Sequence, residues 1–278
     1  MSSAVVFAYS SVGCECLNVL INRGVNILLV YTHEDDPNEE KWFDSVQDVC
    51  KKNNIKFSTG TPEFSEVQNL KPDVIFSFYY RSMLPMEILN LAPLGAFNMH
   101  GSLLPKYRGR ACVNWAVLNG ETHTGVTLHH MTAKPDRGNI VDQEAVEILP
   151  DESSHDVFLK IIPAAGKVLE RSLNNILDGN AKGIPQDENL ASYFGRRRPE
   201  DGLIDWNKSA REIHNLVRAV TKPFPGAFTI INGKKFMIWK TRPREDLNTQ
   251  EKAGTFIENN LVQTGNGCLE LLNAGYQN

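Results

Sequence analysis

Apolar positions along the chain keep two alternating rhythms. Residues 4–9 (AVVFAY) are a short continuous apolar run, and after Gly13 the stretch CECLNVLINRG carries apolar residues at helical spacing that stop at Gly24. That pattern predicts strand, turn and helix. The run NILLVYTH predicts a second buried strand, and KWFDSVQDVCKKNN predicts an amphipathic helix over 41–54. The chain continues with a strand at IKFS, a polar stretch, a strand at DVIFSFYY, a helix at MLPMEILNLA and a strand at GAFNMHGS. Strands and helices alternating in this way predict an α/β fold, a Rossmann-like, mainly parallel sheet with helices on both faces. Two further strands, TGVTLHHM and NIVDQEAVEI, and one long helix over 153–179 complete this part, the helix headed by Asp151, Ser153 and Ser154 as cap residues.

The rhythm then changes. FGRRRPEDG is charged and turn-rich, as in a linker or a loop meeting an anionic ligand, and places a domain boundary between 1–199 and 200–278. Beyond it SAREIHNLVRAV predicts a helix, and AFTIINGKKFMIW sets an Asn-Gly pair between two apolar runs, a hairpin signal. With GTFIENN and CLELLNA as further strands, the second part is expected to be a small β-rich, OB-like barrel domain.

Composition narrows the function classes. With 41% hydrophobic and 22% charged residues, the 278-residue chain has the make-up of a folded globular protein. A net charge of −4 gives no surface built mainly to neutralise phosphates, so no nucleic-acid partner is expected. Five cysteines without CxxC spacing fit reduced, buried thiols of the cytosol rather than a disulfide framework or a zinc knuckle. MSSAVVFAYSSVG lacks the features of a signal peptide, and no apolar run reaches ~18 residues. The expectation is a cytoplasmic protein without membrane insertion, with homo-oligomer formation left open.

The chemistry concentrates in FNMHGSLLPKYRGR. Asn98 and His100 are two apart in a strand and share a face at its carboxyl end, where ligands of open α/β sheets gather. A histidine can take a proton from an attacking nucleophile and an asparagine amide can donate to a developing oxyanion, a pairing suited to acyl transfer. Spacing alone equally allows a turn-capping Asn98 and a hydrogen-bonded core His100. Gly101, Pro105 and Gly109 with Lys106, Arg108 and Arg110 form a loop able to present backbone donors and positive charge to an anion. Neither GxxxxGK[ST] nor GxGxxG occurs, which removes P-loop and common dinucleotide sites. His129 and His130 are adjacent in a strand, point to opposite faces and make no metal pair, so no metal is expected. Asp136 lies in the polar turn KPDRGN, where spacing assigns it only a turn role.

The segment FNMHGSLLPKYRGRACVNWAVLNGETHTGVTLHHM followed by PDRGNIV, with VIFSFYYR, GRRRPEDG and VRAVTKPFPGAF, resembles the folate-dependent formyltransferase family over nearly the whole chain. That family includes methionyl-tRNA formyltransferase, glycinamide ribonucleotide transformylase and the sugar-nucleotide N-formyltransferases. The resemblance is nearest to the last group, to enzymes acting on UDP-4-amino-4-deoxy-L-arabinose for lipopolysaccharide. It implies that Asn98, His100 and Asp136 are catalytic, with N10-formyltetrahydrofolate as formyl donor. It further implies folate contacts from Ser82, Met83, Leu84, Arg110 and the stretch Thr132, Ala133, Lys134, Pro135 and Asp136. Two departures stand out: Ser82 replaces a bulkier residue, and PDRGNIV stands where DAGDI or DAGAI is commoner.

The acceptor that the resemblance implies is a nucleotide-linked 4-amino sugar on UDP or dTDP, with Arg196, Arg197 and Arg198 as candidates for the diphosphate; a solvated linker is the other reading of that triplet. Methionyl-tRNA is the alternative acceptor. It would want a basic second domain, whereas residues 200–278 carry ten Lys and Arg against nine Asp and Glu. A protein that binds a nucleotide sugar or a partner without transfer is a third reading, disfavoured by the intact Asn98, His100 and Asp136. Relatives of the polymyxin-resistance type carry a second, dehydrogenase half, and this chain is expected to stand alone.

Overall fold

A computed structural model describes residues 2–35, 41–258 and 260–276. In chain order the first elements are β1 (Ser3–Ala8), α1 (Ser10–Asn22), β2 (Asn26–Tyr31), α2 (Val46–Lys52), β3 (Phe57–Ser58), α3 (Phe64–Leu70) and β4 (Val74–Phe78). There follow α4 (Met86–Leu89), β5 (Ala96–His100), β6 (Arg108–Gly109), α5 (Cys112–Leu118), β7 (His123–His130), β8 (Ile140–Glu147) and α6 (Ser154–Leu177). The last are β9 (Tyr193–Phe194), α7 (Ala210–Val220), β10 (Ala227–Ile231), β11 (Lys234–Arg244), β12 (Phe256–Ile257), β13 (Leu261–Gln263) and β14 (Cys268–Tyr276).

The chain forms two compact units. The first comprises Met1–Gly109, Thr124–Val146 and Leu159–Tyr193; the second comprises Arg110–His123, Glu147–Phe158 and Phe194–Asn278. The second unit therefore draws two earlier stretches, 110–123 and 147–158, into the company of the C-terminal residues.

In the first unit, seven strands pair in the order β3-β2-β1-β4-β5-β7-β8. Strands β3, β2, β1, β4 and β5 are parallel, and β7 runs antiparallel to β5. The central strands are buried along nearly their whole length, as β1 and β4 demonstrate with every residue from Ala4 to Ala8 and from Val74 to Phe76 at 0% exposure. Burial on both faces explains why these strands read as unbroken apolar runs rather than as alternations. On one face Val5, Phe7, Leu29, Tyr31 and Ile75 cluster with Val67 of α3 and Ile88 and Leu89 of α4. Strand alternation turns Val6, Val30 and Phe76 to the other face, and α1 packs against β1, β2 and β4.

Several element limits differ from the sequence expectation. The helix predicted over 41–54 spans only Val46–Lys52, because the Ser45 side chain accepts the Asp48 amide at 3.3 Å and caps it there. The residues before it are used otherwise: Asp44 donates its amide to Ser11 Oγ and the Phe43 ring meets Tyr9 edge-on. The helix at MLPMEILNLA shrinks to Met86–Leu89 behind Pro85. Short α3, α5 and β13 have no counterpart in the sequence reading, since helices of seven residues and strands of three carry too few repeats for a period.

In the second unit five strands form an antiparallel sheet in the order β10-β11-β14-β13-β12, with the Asn232-Gly233 pair turning β10 into β11. Helix α7 packs on β11, β14 and β10 and against α5. Its start is a full capping box, Ser209 Oγ accepting the Glu212 amide while the Glu212 carboxylate accepts the Ser209 amide at 3.0 Å.

Strand β7 approaches its neighbours closely at Gly125, where an added Cβ would lie 2.2 Å from the Glu144 carbonyl oxygen and 2.6 Å from a Leu103 methyl. Gly125→Ala is expected to cost about 1–3 kcal/mol through forced displacement of β8 or the Leu103 loop, measured as a lowered melting temperature. An unchanged melting temperature would mean that β7 and β8 are not this close.

Candidate active site

Antiparallel pairing places Asn98 directly across from His129 and His100 across from Thr127. Asn98, His100 and His129 consequently share one face, while the neighbouring Phe97 and His130 meet on the other with ring centroids 4.7 Å apart. The site thus sits where β5 meets its antiparallel neighbour, not at the crevice between β1 and β4 where the order of the parallel strands reverses.

Hydrogen bonding fixes each ring. His100 Nε2 lies 2.8 Å from the Tyr107 carbonyl oxygen. A carbonyl only accepts, so Nε2 carries a hydrogen in either charge state, and Nδ1 is the nitrogen that gains and loses a proton. Nδ1 faces Asp136 Oδ1 at 3.5 Å, and both side chains are largely buried. By the same logic His129 donates from Nδ1 to the His130 carbonyl at 2.8 Å, which leaves Nε2 to accept from Asn98 Nδ2 at 3.1 Å. Burial holds His129 down to about 4, with Asp136 opposing and His100 reinforcing the shift. A neutral His129 orients the Asn98 amide, whose second Nδ2 hydrogen is not used by that bond.

The Tyr107 carbonyl is itself held in place. Ser102 Oγ donates to the carbonyls of Lys106 and Tyr107, and buried Thr127 donates to the Ser102 carbonyl at 2.6 Å while accepting from the Leu104 amide. Gln143 Nε2 braces the same loop through the Leu104 carbonyl.

Asp136 adopts φ +57°, a left-handed conformation that Asp tolerates better than most residues. Its Oδ2 accepts the Gly109 amide at 2.8 Å. Gln186 donates to the carbonyls of Asp136 and Gly138, and its Oε1 accepts from Arg108, whose guanidinium also pairs with Glu188 through two contacts of 2.8 Å. Arg108 is only 2% exposed, so this paired, buried charge fixes the Asp136 turn against the loop from β5.

The other sequence candidates scatter more widely. Ser82 and Met83 are exposed after β4, whereas the Leu84 side chain packs into the core and leaves only its backbone for a ligand. Thr132, Ala133, Lys134 and Pro135 form an exposed turn leading into Asp136. Arg110, Arg196 and Arg198 are exposed residues of the second unit; Arg197 lies over the Trp115 ring at 4.8 Å and donates to the Asp201 carbonyl. Among the described residues no group of three His, Cys, Asp or Glu side chains is arranged to hold a metal.

Sequence reasoning missed His129, which it treated only as half of a failed metal pair, and Gln186. It also missed an aromatic cluster at the carboxyl ends of β1, β2 and β4, where His33 stacks on Tyr80 at 4.2 Å and Arg81 lies over Tyr9 at 4.3 Å. A histidine directly across a ladder from Asn98 was legible only once the β5–β7 register was known.

Residues 4–173 match the formyl transferase family, and residues 197–276 match the formyl transferase C-terminal domain. The chain belongs to the formyl transferase family. Solved structures share the fold of this formyltransferase. WlaRD, described as a sugar 3N-formyl transferase in the presence of dTDP and 5-N-formyl-THF, aligns with a TM-score of 0.78 and 24% identity, covering 100% of this chain and 97% of that one. The N-formyltransferase from Helicobacter canadensis, in complex with folinic acid and dTDP-3-aminofucose, aligns with a TM-score of 0.78 and 23% identity over 100% and 99% of the two chains. A 4-N formyltransferase from Francisella tularensis aligns with a TM-score of 0.67 and 21% identity over 84% and 95%. No described helix of the formyltransferase is long and apolar enough to cross a membrane.

The depressed His129 value has a consequence for stability. An unfolded chain takes up this proton near 6.5 and the folded formyltransferase only near 4, so folding stability declines as pH falls through that window. His129→Gln keeps an acceptor for Asn98 without the titration. Its melting temperature is expected to fall less steeply between those pH values, and an unchanged slope would contradict the buried neutral ring.

Proposed function

We propose that this formyltransferase moves a formyl group from N10-formyltetrahydrofolate to the primary amine of a nucleotide-linked 4-amino sugar, UDP-4-amino-4-deoxy-L-arabinose or a dTDP-4-amino-dideoxy sugar. The observation that carries the reading is the convergence of Asn98 and Asp136 around His100, whose exchangeable nitrogen is Nδ1, in a member of the formyl transferase family. The folate and the nucleotide sugar are supported by structural relatives whose complexes hold 5-N-formyl-THF with dTDP, or folinic acid with dTDP-3-aminofucose. The nearly balanced charge of residues 200–278 favours a small acceptor over tRNA.

The folate supplies a formyl group already bonded to a leaving nitrogen. The exposed Ser82 and Met83, the Leu84 backbone and the Thr132–Pro135 turn hold it, and the turn delivers Asp136 beside His100. As the acceptor amine forms its bond to the formyl carbon, Asn98 donates its second Nδ2 hydrogen to the developing oxyanion. His100 Nδ1 takes the proton from the attacking nitrogen, and Asp136 stabilises the resulting imidazolium. The same proton passes to the folate nitrogen as its bond to the formyl carbon breaks. The Tyr107 carbonyl keeps the ring from rotating during this exchange.

Release of tetrahydrofolate, followed spectrophotometrically with UDP- and dTDP-linked 3- and 4-amino sugars and with charged initiator tRNA in parallel, tests the reading. Release dependent on a 4-amino sugar is the expected result; turnover with a 3-amino sugar alone would reassign the acceptor, and activity with tRNA alone would overturn the proposal. With the active acceptor, Asn98→Ala is expected to lower kcat by about 100- to 1,000-fold, the scale for one oxyanion donor. His100→Gln retains a donor for the Tyr107 carbonyl and is expected to abolish turnover without unfolding the chain. Turnover by either variant at the unsubstituted rate would remove the assigned roles.

A further inference from the structure

The second unit contains a cavity of about 620 Å³ that the formyl-transfer chemistry leaves unused. Its walls are residues of that unit alone, from 151–156, from α7 and the residues after it, and from β11 and β14. Four cationic side chains, Arg218, Lys222, Lys240 and Arg242, line it against two carboxylates, Asp151 and Asp156. Asp156 is committed to Ser153, whose amide and hydroxyl both donate to it. Asp151 is largely exposed and lies 3.5 Å from His214.

Arg218 is the informative member. It is 7% exposed, yet its hydrogen bonds go to neutral oxygens, the Asn215 side chain at 2.9 Å and the Glu152 carbonyl at 3.0 Å. Among the described residues no carboxylate forms an ion pair with it. A buried guanidinium without an ionic partner is costly unless an anion completes it, and this one lines a cavity with Lys222 and Lys240 as well as Arg242, which pairs with Glu270 at 3.3 Å. His214 adds no charge of its own in this arrangement, because its Nε2 donates to the Pro150 carbonyl while Nδ1 accepts from Thr241, and burial lowers its proton affinity.

The opposite wall is equally fixed. Trp239 lies under Lys222, whose ammonium is 5.4 Å from the ring centroid, and the Trp239 carbonyl accepts from Thr221 Oγ1 at 2.7 Å. The indole fits only because residue 226 is glycine: a Cβ there would fall 2.5 Å from the ring. The volume lies within the usual range for small-molecule sites and is far larger than a single phosphate needs.

We propose that this cavity is a binding site for a diphosphate-bearing small molecule, with Arg218, Lys222 and Lys240 holding the phosphoryl oxygens and Trp239 forming the wall beside them. The site is independent of the formyl-transfer reading, because none of its residues belongs to the Asn98, His100 and Asp136 group. Free pyrophosphate and a nucleoside diphosphate share the required chemistry.

Tryptophan fluorescence of the full chain, titrated with pyrophosphate and separately with UDP and dTDP, tests the proposal. A saturable change at about millimolar ligand or below is expected, absent in Trp239→Phe and weakened about tenfold or more in the surface variant Lys240→Glu and in Arg218→Gln. Because the proposed formyl acceptor also carries UDP or dTDP, only the part of the change that depends on both Trp239 and Lys240 is assigned to this cavity, which separates it from the formyl-transfer centre. Tighter binding of UDP or dTDP than of pyrophosphate would identify a nucleotide as the source; equal binding would identify the diphosphate alone, and both support the site. No Trp239-dependent change, or an affinity that Lys240→Glu leaves intact, would overturn it. Since Lys240 is exposed and forms no ion pair among the described residues, that variant remains decisive even if Arg218→Gln fails to fold.

Discussion

The hydrogen bond from His100 Nε2 to the Tyr107 carbonyl is the constraint on which the rest of the site depends. It decides which ring nitrogen exchanges protons, and so gives the placement of Asp136 beside Nδ1 its meaning. Were the ring turned over, the exchangeable nitrogen would face a carbonyl, and the carboxylate would have nothing to stabilise. Much of the surrounding architecture serves this one contact. The loop that carries Tyr107 is tied to Ser102, Thr127 and Gln143, all buried or half-buried groups on the first unit's sheet or at its end.

A second set of contacts governs the partner carboxylate. Asp136 sits in a left-handed turn that has little to hold it locally, so the Gly109 amide, Gln186 and the Arg108–Glu188 pair hold it from outside. Asn98 is oriented in turn by a histidine that burial keeps neutral. Antiparallel β7 makes this economical in chain length: one reversal of direction beside β5 brings His129 across from Asn98 and delivers Asp136 a few residues later. In the proposed transfer this group meets charge that develops on an oxygen and a nitrogen at once, the demand of acyl transfer to an amine.

The sheet was legible because β1, β2, β4 and β5 are buried on both faces and announce themselves as apolar runs, and the two Asn98 and His100 positions were legible because strand periodicity is strict. The spacing of Asp136 carried no comparable signal: it comes from a polar turn, and only the family resemblance brought it forward. His129 was hidden for a different reason, since register across an antiparallel pair is a tertiary property that no local pattern encodes. Short α3 and α5 were invisible because their seven residues span barely two turns. The assignment of 110–123 and 147–158 to the second unit was equally out of reach, depending as it does on contacts with residues far along the chain.

The central claim is that Nδ1 of His100 carries the proton that moves. Long-range proton–nitrogen NMR correlation of the His100 ring, followed through its titration, addresses it directly. The account predicts that Nε2 stays protonated throughout and that the large nitrogen shift on titration belongs to Nδ1. A ring in which Nε2 loses the proton while Nδ1 retains it would contradict the account.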